Sequence, residues 1–378
     1  MTINTLPINT GDALELLKSI WDAQSESAFR VSTMLWGSPG IGKTQIAEQL
    51  AEYIGGRLYD IRLTTIDSAD LHGLPYYDHD TKTTQWYRPE DLPNSDEPAV
   101  LFLDELSSAP SHIQPTVYGL LQERRVGQHK IPDNTIIVAA GNQVTDGAVA
   151  YDMGTAIADR LIHLLVEASS DDWVNNYAVP KGLHPAVVAF VKTSPQHFQN
   201  LDASMEQDHT IATTPRSWER VSDIMTNFAD PLQQRRLVAG TIGAAVSNDF
   251  FIVADDISAT VKIDELIKAK PEDRAKMVPT KMHGLNAMIF GLMGALNEKT
   301  LEPIVEILGM VADTEAFIKQ RNAEDAKAFK KMPLKELATF GMETIMAKAL
   351  ENQAMVAKFI NLPAYHAYSE ERRRLGLE

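Results

Sequence analysis

Apolar and polar residues follow two alternating periods along the first 166 positions. Short β-branched runs at 31–35, 58–63, 99–103, 135–140 and 161–166 are separated by stretches of helical spacing; in Gln45 to Ala51 the apolar residues fall at 46, 47, 50 and 51. Apolar-rich strands separated by helices predict a parallel sheet covered on both faces. From Ser169 the strand signal stops. Helical patterns then run from Ser217 into Phe228, from Gln233 into Val246, and over 260–270, 281–296, 301–320 and 334–360, with Pro271, Pro279, Pro303 and Pro333 between them. The expected organisation is an α/β core over 1–168, a helical segment over 169–248 and a further helical region over 249–378.

Two excursions interrupt the core. Leu71 to Pro89 has aromatic-rich arms about a polar turn, a hairpin pattern. Its tyrosines and Trp86 either pack on the domain or form a contact surface. Arg125 to Asn134 suggests a second hairpin, with His129 and Lys130 expected at its tip.

The chemistry sits where strand runs end. Leu35-Trp36-Gly37-Ser38-Pro39-Gly40-Ile41-Gly42-Lys43-Thr44 fills G-x-x-x-x-G-K-[ST] at every fixed position, which predicts binding of a nucleoside triphosphate. Glycines let backbone N–H groups turn toward phosphates, Lys43 places a charge on the β and γ oxygens, and Thr44 offers a hydroxyl to Mg²⁺. Gln45 continues into a helix whose N-terminus adds partial positive charge. The expected phosphate cradle is thus Gly37, Ser38, Pro39, Gly40, Ile41, Gly42, Lys43, Thr44 and Gln45. Ala99 to Leu103 ends in Asp104-Glu105, where Asp104 would hold the Mg²⁺ shell and Glu105 would polarise the attacking water. Thr135 to Gly141 ends in Asn142, which would orient water or touch the γ-phosphate if it is not simply a turn residue.

These strand ends, followed by Asp159-Arg160-Leu161 and Thr214-Pro215-Arg216-Ser217-Trp218, resemble the AAA+ ATPases, specifically the MoxR-type members, over about residues 10–240. The resemblance implies a P-loop AAA+ core, an all-α lid carrying sensor 2, and a C-terminal helical region beyond it. It casts Asn142 as sensor 1, Arg160 as the arginine finger and Arg216 as sensor 2, with Arg124 and Arg125 as competitors for the finger. It places the first hairpin toward a ring channel or a partner, and likens the second to the pre-sensor 1 hairpin. It also implies a ring, expected as a homohexamer, that hydrolyses ATP with Mg²⁺ and remodels or activates a protein client, often with a von Willebrand factor A-type partner. Whether Arg216 serves its own nucleotide or a neighbour's is left open, because an extra helix before the lid can reverse it.

Composition narrows the alternatives. Thirty-five basic against 51 acidic residues give a net charge of −16, which opposes nonspecific attraction to nucleic acid or anionic membrane. The alternative of an NTPase motor on nucleic acid, or a restriction-complex subunit, therefore ranks second. There is no cysteine, hence no disulfide framework or thiolate metal site. Ten histidines show no paired ligand spacing, and His72 beside Asp70 reads as part of a capped turn. Met1 to Leu6 lacks a basic n-region and a long apolar h-region. The apolar stretch Leu285 to Leu296, with Asn286 inside, is short of the roughly 20 residues a span needs. The expected setting is soluble and cytoplasmic.

Overall fold

The computed structural model describes residues 3–142, 159–350 and 352–374. The chain divides into two compact units. The first comprises Met1–Asp172, Asn200–Thr210 and Thr214–Arg216.

This unit contains β1 (Pro7–Ile8), α1 (Thr10–Glu26), β2 (Ser32–Trp36), α2 (Lys43–Tyr53), β3 (Arg57–Arg62), α3 (Ser68–His72), β4 (Leu74–Asp78), β5 (Thr83–Tyr87), β6 (Ala99–Asp104), α4 (Gln114–Glu123), β7 (Arg125–Val126), β8 (His129–Lys130), β9 (Thr135–Gly141) and β10 (Leu161–Val166). Six strands form one sheet in the order β1-β10-β2-β9-β6-β3. Every pairing in it is parallel. Alternate side chains of the strands serve opposite faces. Leu35, Val100, Phe102, Val138 and Ala140 pack with Ala13 and Leu17 of α1 and Ile46 and Leu50 of α2. Met34, Leu101, Leu103, Ile137 and Ala139 pack with Val117, Leu120 and Leu121 of α4. The expected parallel sheet flanked by helices is thus present, with β1 as an added short edge strand. Parallel strands put their carboxyl ends on one edge, so Trp36, Asp104 and Gly141 all deliver the chain to that edge.

The second unit comprises Trp173–Gln199, Ile211–Thr213 and Ser217–Glu378 and is helical among its described residues. Trp218 is fully buried, with ring centroids 5.3 Å from Phe190 and 6.0 Å from Phe250. Its indole N–H donates to the carbonyls of His197 and Phe198, both at 3.1 Å. Three expected helices are each divided. The stretch begun at Gln233 is Pro231–Ile242 and Ala244–Thr260, broken at Gly243. That over 301–320 is Leu301–Ala312 and Thr314–Lys319, the second capped by the Asp313 carboxylate. The expected helix over 334–360 is Leu334–Leu350 and Gln353–Phe359, residue 351 lying outside the described set. The apolar stretch around Leu285 forms Met282–Gly294, buried along most of its length against other helices. No helix among the described residues is long and apolar enough to cross a membrane.

Candidate nucleotide site

The loop from Gly37 to Gly42 joins β2 to α2. Gly40 and Gly42 have φ of +78° and +108°, a region L side chains rarely enter, so glycine is required at both. Gly37 is close-packed instead: a Cβ there would lie 2.6 Å from the Val166 carbonyl oxygen. The buried Lys43 Nζ sits inside the loop's curve, donating to the carbonyls of Gly37 at 2.5 Å and Ser38 at 3.2 Å and to Asn142 Oδ1 at 2.8 Å. Cationic Lys43, the turned backbone and the α2 N-terminus converge as a polyphosphate cradle demands.

Asn142 leaves β9, the neighbour of β2, and its backbone N–H donates to Ser107 Oγ at 3.0 Å. Its contact with Lys43 places the two on one side of the cradle. Asp104 ends β6, and its Oδ1 accepts the Glu105 N–H at 2.9 Å. Glu105 stands in the left-handed region at φ +59°. Its carboxylate accepts a short hydrogen bond from the Thr64 hydroxyl. Arg62 lies 3.7 Å from Asp104 and 3.9 Å from Glu105. Thr64 and Arg62 belong to β3 and its exit, on the far side of β6 from β9 and β2. The Glu105 carboxylate is therefore turned away from Lys43 and Asn142.

Thr44 on α2 and Asp104 on β6 supply one hydroxyl and one carboxylate, the sparse oxygen set that suits a magnesium ion completed by phosphate and water. Asp60 on β3 adds a second acid nearby; loss of hydration, and then the Asp104 charge, raise its pKa above the ordinary carboxylate value. Motif spacing pointed to none of Thr64, Arg62, Asp60 or Ser107. The polar positions of Arg57–Arg62 alternate with buried Tyr59 and Ile61, which was the one available signal for the acid.

Arg160 is exposed immediately before β10. Leu161 pairs with Ser32, the first residue of β2. At about 3.3 Å per residue, the Gly37 level lies roughly 16 Å further along the sheet. Arg216 is placed differently: its backbone N–H donates to the Gly40 carbonyl at 3.3 Å. Arg124, a competitor for the finger, is corrected by its surroundings. Its Nη2 donates to the carbonyls of Pro132 and Thr135, and burial pushes its pKa down. Arg125 Nε donates to the Gly127 carbonyl at 2.8 Å within its own hairpin.

Residues 32–161 match the family model described as AAA domain (dynein-related subfamily). This segment is an AAA+ P-loop ATPase core. No curated protein matches the chain. Among solved structures, a presumed ATPase from Cytophaga hutchinsonii aligns at 16% identity, covering 89% of this chain and 88% of its own, with a TM-score of 0.32. A RuvB variant from Thermotoga maritima aligns at 14% over 88% and 87% with a TM-score of 0.34. A second RuvB structure from that organism, described as a Holliday junction branch migration motor, aligns at 14% over 79% and 75% with a TM-score of 0.31. Fits this loose say nothing of function.

Both excursions in the AAA+ core are hairpins. β4 and β5 pair antiparallel with Tyr76 opposite Gln85 and Leu74 opposite Tyr87. Its apolar residues are turned to solvent, with Leu74 74%, Tyr87 62% and Tyr77 56% exposed; Tyr76 and Tyr87 stack at 4.4 Å. The β7–β8 hairpin turns at Gly127-Gln128, so His129 and Lys130 are on the return strand and not at the tip. His129 is buried, and its Nε2 lies 3.0 Å from the His72 carbonyl. Gln128 donates to the Trp86 carbonyl at 3.2 Å, joining the two hairpins. Asp67 and Asp70 form the capping box of α3, and His72 Nδ1 is 2.7 Å from the Ser68 carbonyl, the capped turn expected there.

Proposed function

We propose that this ATPase works as a MoxR-like ring, a homohexamer, that remodels or activates a protein client. The observation that carries the proposal is the position of Arg160, at the opposite end of the sheet from its own P-loop. An extended arginine side chain covers less than half of that distance. Arg160 would therefore complete a neighbour's site, coupling hydrolysis to subunit geometry. Glu105 would polarise water once turned toward the cradle, Asn142 would orient that water or the γ-phosphate beside Lys43, and Asp104 with Thr44 would hold Mg²⁺. Held by these residues, Mg²⁺ would supply positive charge against the phosphates during hydrolysis. The solvent-facing aromatics of β4 and β5 support contact with a polypeptide client, and a von Willebrand factor A-type partner would act with it. The net charge of −16 disfavours nucleic acid as the substrate.

The test is subunit mixing. Arg160→Ala should cut hydrolysis by roughly 10³–10⁵ while leaving ATP affinity largely intact. Mixed with Lys43→Ala, it should regain partial activity, because one subunit brings the cradle and the other the finger. Co-assembled mixtures that stay inactive at every ratio would refute action in trans. Capture on a Glu105→Gln variant, followed by mass spectrometry, identifies the client; DNA-stimulated, salt-sensitive turnover would favour the motor alternative instead.

A further inference from the structure

We infer that a cleft in the second compact unit receives one amphipathic helix of a protein partner, apolar along one stripe and carrying lysine or arginine beside it. The inference does not rest on the nucleotide site.

The cleft has three helical walls. Leu334–Leu350 and Pro363–Arg374 both pack on Leu301–Ala312, and the space left between them measures about 890 Å³, within the roughly 300–1,000 Å³ of ligand sites. Its origin is residue size. Ala338 and Thr339 line one side, Ala364 and Ala367 the other, and side chains this short cannot meet across the gap. Gly309 sets how near the second side lies: a Cβ there would come within 2.8 Å of Ala364 Cβ, closer than real contacts allow, so glycine is required for this approach. The two sides are tied to each other through Glu343, whose carboxylate accepts the Tyr368 hydroxyl at 3.2 Å and pairs with Arg372. The width of the cleft is thereby fixed.

Shape and charge select the occupant. The lining runs from Glu306 to Ala312 on one helix and from Lys335 to Met342 on another; at 1.5 Å per residue these are about 9 Å and 10 Å, two turns of helix. An apolar stripe at i, i+3, i+4 and i+7 spans the same two turns, which is how an amphipathic helix fills a groove. Met310, Met342 and Leu362 supply apolar surface, and flexible thioethers adapt to the side chains they meet. Among the charged groups, Glu306 is balanced by Arg274 at 2.7 Å. Lys335, the one cation in the lining among the described residues, is itself engaged. Asp313 and Glu315, both exposed, are left over. Asp313 accepts the Ala316 N–H at 3.2 Å, and Glu315 makes no hydrogen bond or ion pair with another described residue. Two carboxylates beside an apolar groove match lysine or arginine on the incoming helix and repel an acidic one.

The test uses the full-length chain and a displayed library of short helical peptides, selected on wild type and counter-selected on Ala367→Trp. Ala367 is exposed, so the indole can fill the cleft without entering the core. Selected sequences should carry apolar residues at i, i+3, i+4 and i+7 with lysine and arginine in excess. A selected peptide, synthesised with a fluorescent label, should lose binding to Ala367→Trp and bind Glu315→Lys about fivefold more weakly, since an attractive charge contact becomes repulsive, and its affinity for wild type should fall with added salt. Glu315→Lys alters a surface position and keeps the test decisive if Ala367→Trp does not fold. Unchanged melting temperatures show that the variants are folded. No enrichment, an acidic or non-helical consensus, or equal binding by the folded variants would overturn the proposal. Self-association of wild type that Ala367→Trp abolishes, with no peptide enriched, would put a second copy of this chain in the cleft and overturn it as well.

Discussion

Thr64 holds the Glu105 carboxylate, which under the proposed function would face the attacking water, and removing the Thr64 hydroxyl should then speed the enzyme. Thr64→Val keeps the β-branched shape while deleting the donor to Glu105. A hydrogen bond to a charged group is worth roughly 1.5–3 kcal/mol when shielded from water. Here both partners are exposed, and the 3.9 Å Arg62 contact remains to hold Glu105 on the β3 side, so about 1 kcal/mol is the fair expectation. That shifts the balance between the turned-away and inward carboxylate about fivefold. Steady-state phosphate release should therefore show kcat raised about threefold to fivefold, with KM for ATP unchanged because no phosphate contact is touched. Thr64→Ser should behave as wild type. A fall in kcat for Thr64→Val would mean that the hydroxyl aims Glu105 at its work, and the direction assigned to the contact would be wrong.

Lys43→Ala should abolish nucleotide binding, whereas Glu105→Gln should retain ATP and stop turnover, as read by a fluorescent nucleotide and phosphate release; equal loss of binding in both would make Glu105 structural. Burial holds the His184 ring below the ordinary histidine pKa, and its Nδ1 accepts the Ala186 N–H at the start of a helix. Its contribution to stability is complete above about pH 6.5 and is lost as pH falls below that value. Thermal unfolding at pH 7 and pH 5 should thus show a larger drop for wild type than for His184→Asn, which keeps the cap without the titration. Arg124→Met should cost about 1 kcal/mol in chemical denaturation, because the carbonyls of Pro132 and Thr135 each lose one of two donors, keeping the Thr135 N–H and Gln24 Nε2 respectively, while turnover per folded molecule stays unchanged; a loss of turnover without loss of stability would reinstate it as a finger.

Legibility followed the reach of each constraint. The cradle could be read because a tight loop around phosphate needs Gly40, Gly42 and Lys43 at fixed offsets. The five long strands could be read because a doubly covered sheet demands apolar-rich runs, nearly unbroken in β6 and β9 and alternating with polar residues in β3. β1 could not, since two residues carry no period and Pro7 and Ile8 are strand only through pairing with Leu165 and Val166. Thr64 and Glu105 are 41 residues apart, and only the adjacency of β3 and β6 brings them together. His129 looked like a tip residue because its polarity hid a partner, the His72 carbonyl, 57 positions away. Arg124 and Arg160 look alike in a string of letters, and burial alone separates them. For Arg216, the residue was visible but its address was not, because a backbone hydrogen bond to Gly40 leaves no mark on residue type.

Were Arg160 the finger proposed above, a protomer would carry its cradle at one end of a parallel sheet and its finger at the other; such an object is polar, and polarity dictates symmetry. Two such chains related by a twofold axis present like ends to each other, so an isologous dimer completes neither site. Head-to-tail stacking completes one site per junction, and such a contact either closes into a cyclic ring or winds into an open helix. In the open form one cradle at the end is always left without a finger. Closure itself, and not a change within any subunit, would then switch on the last active site, and a split ring would carry one idle position by construction.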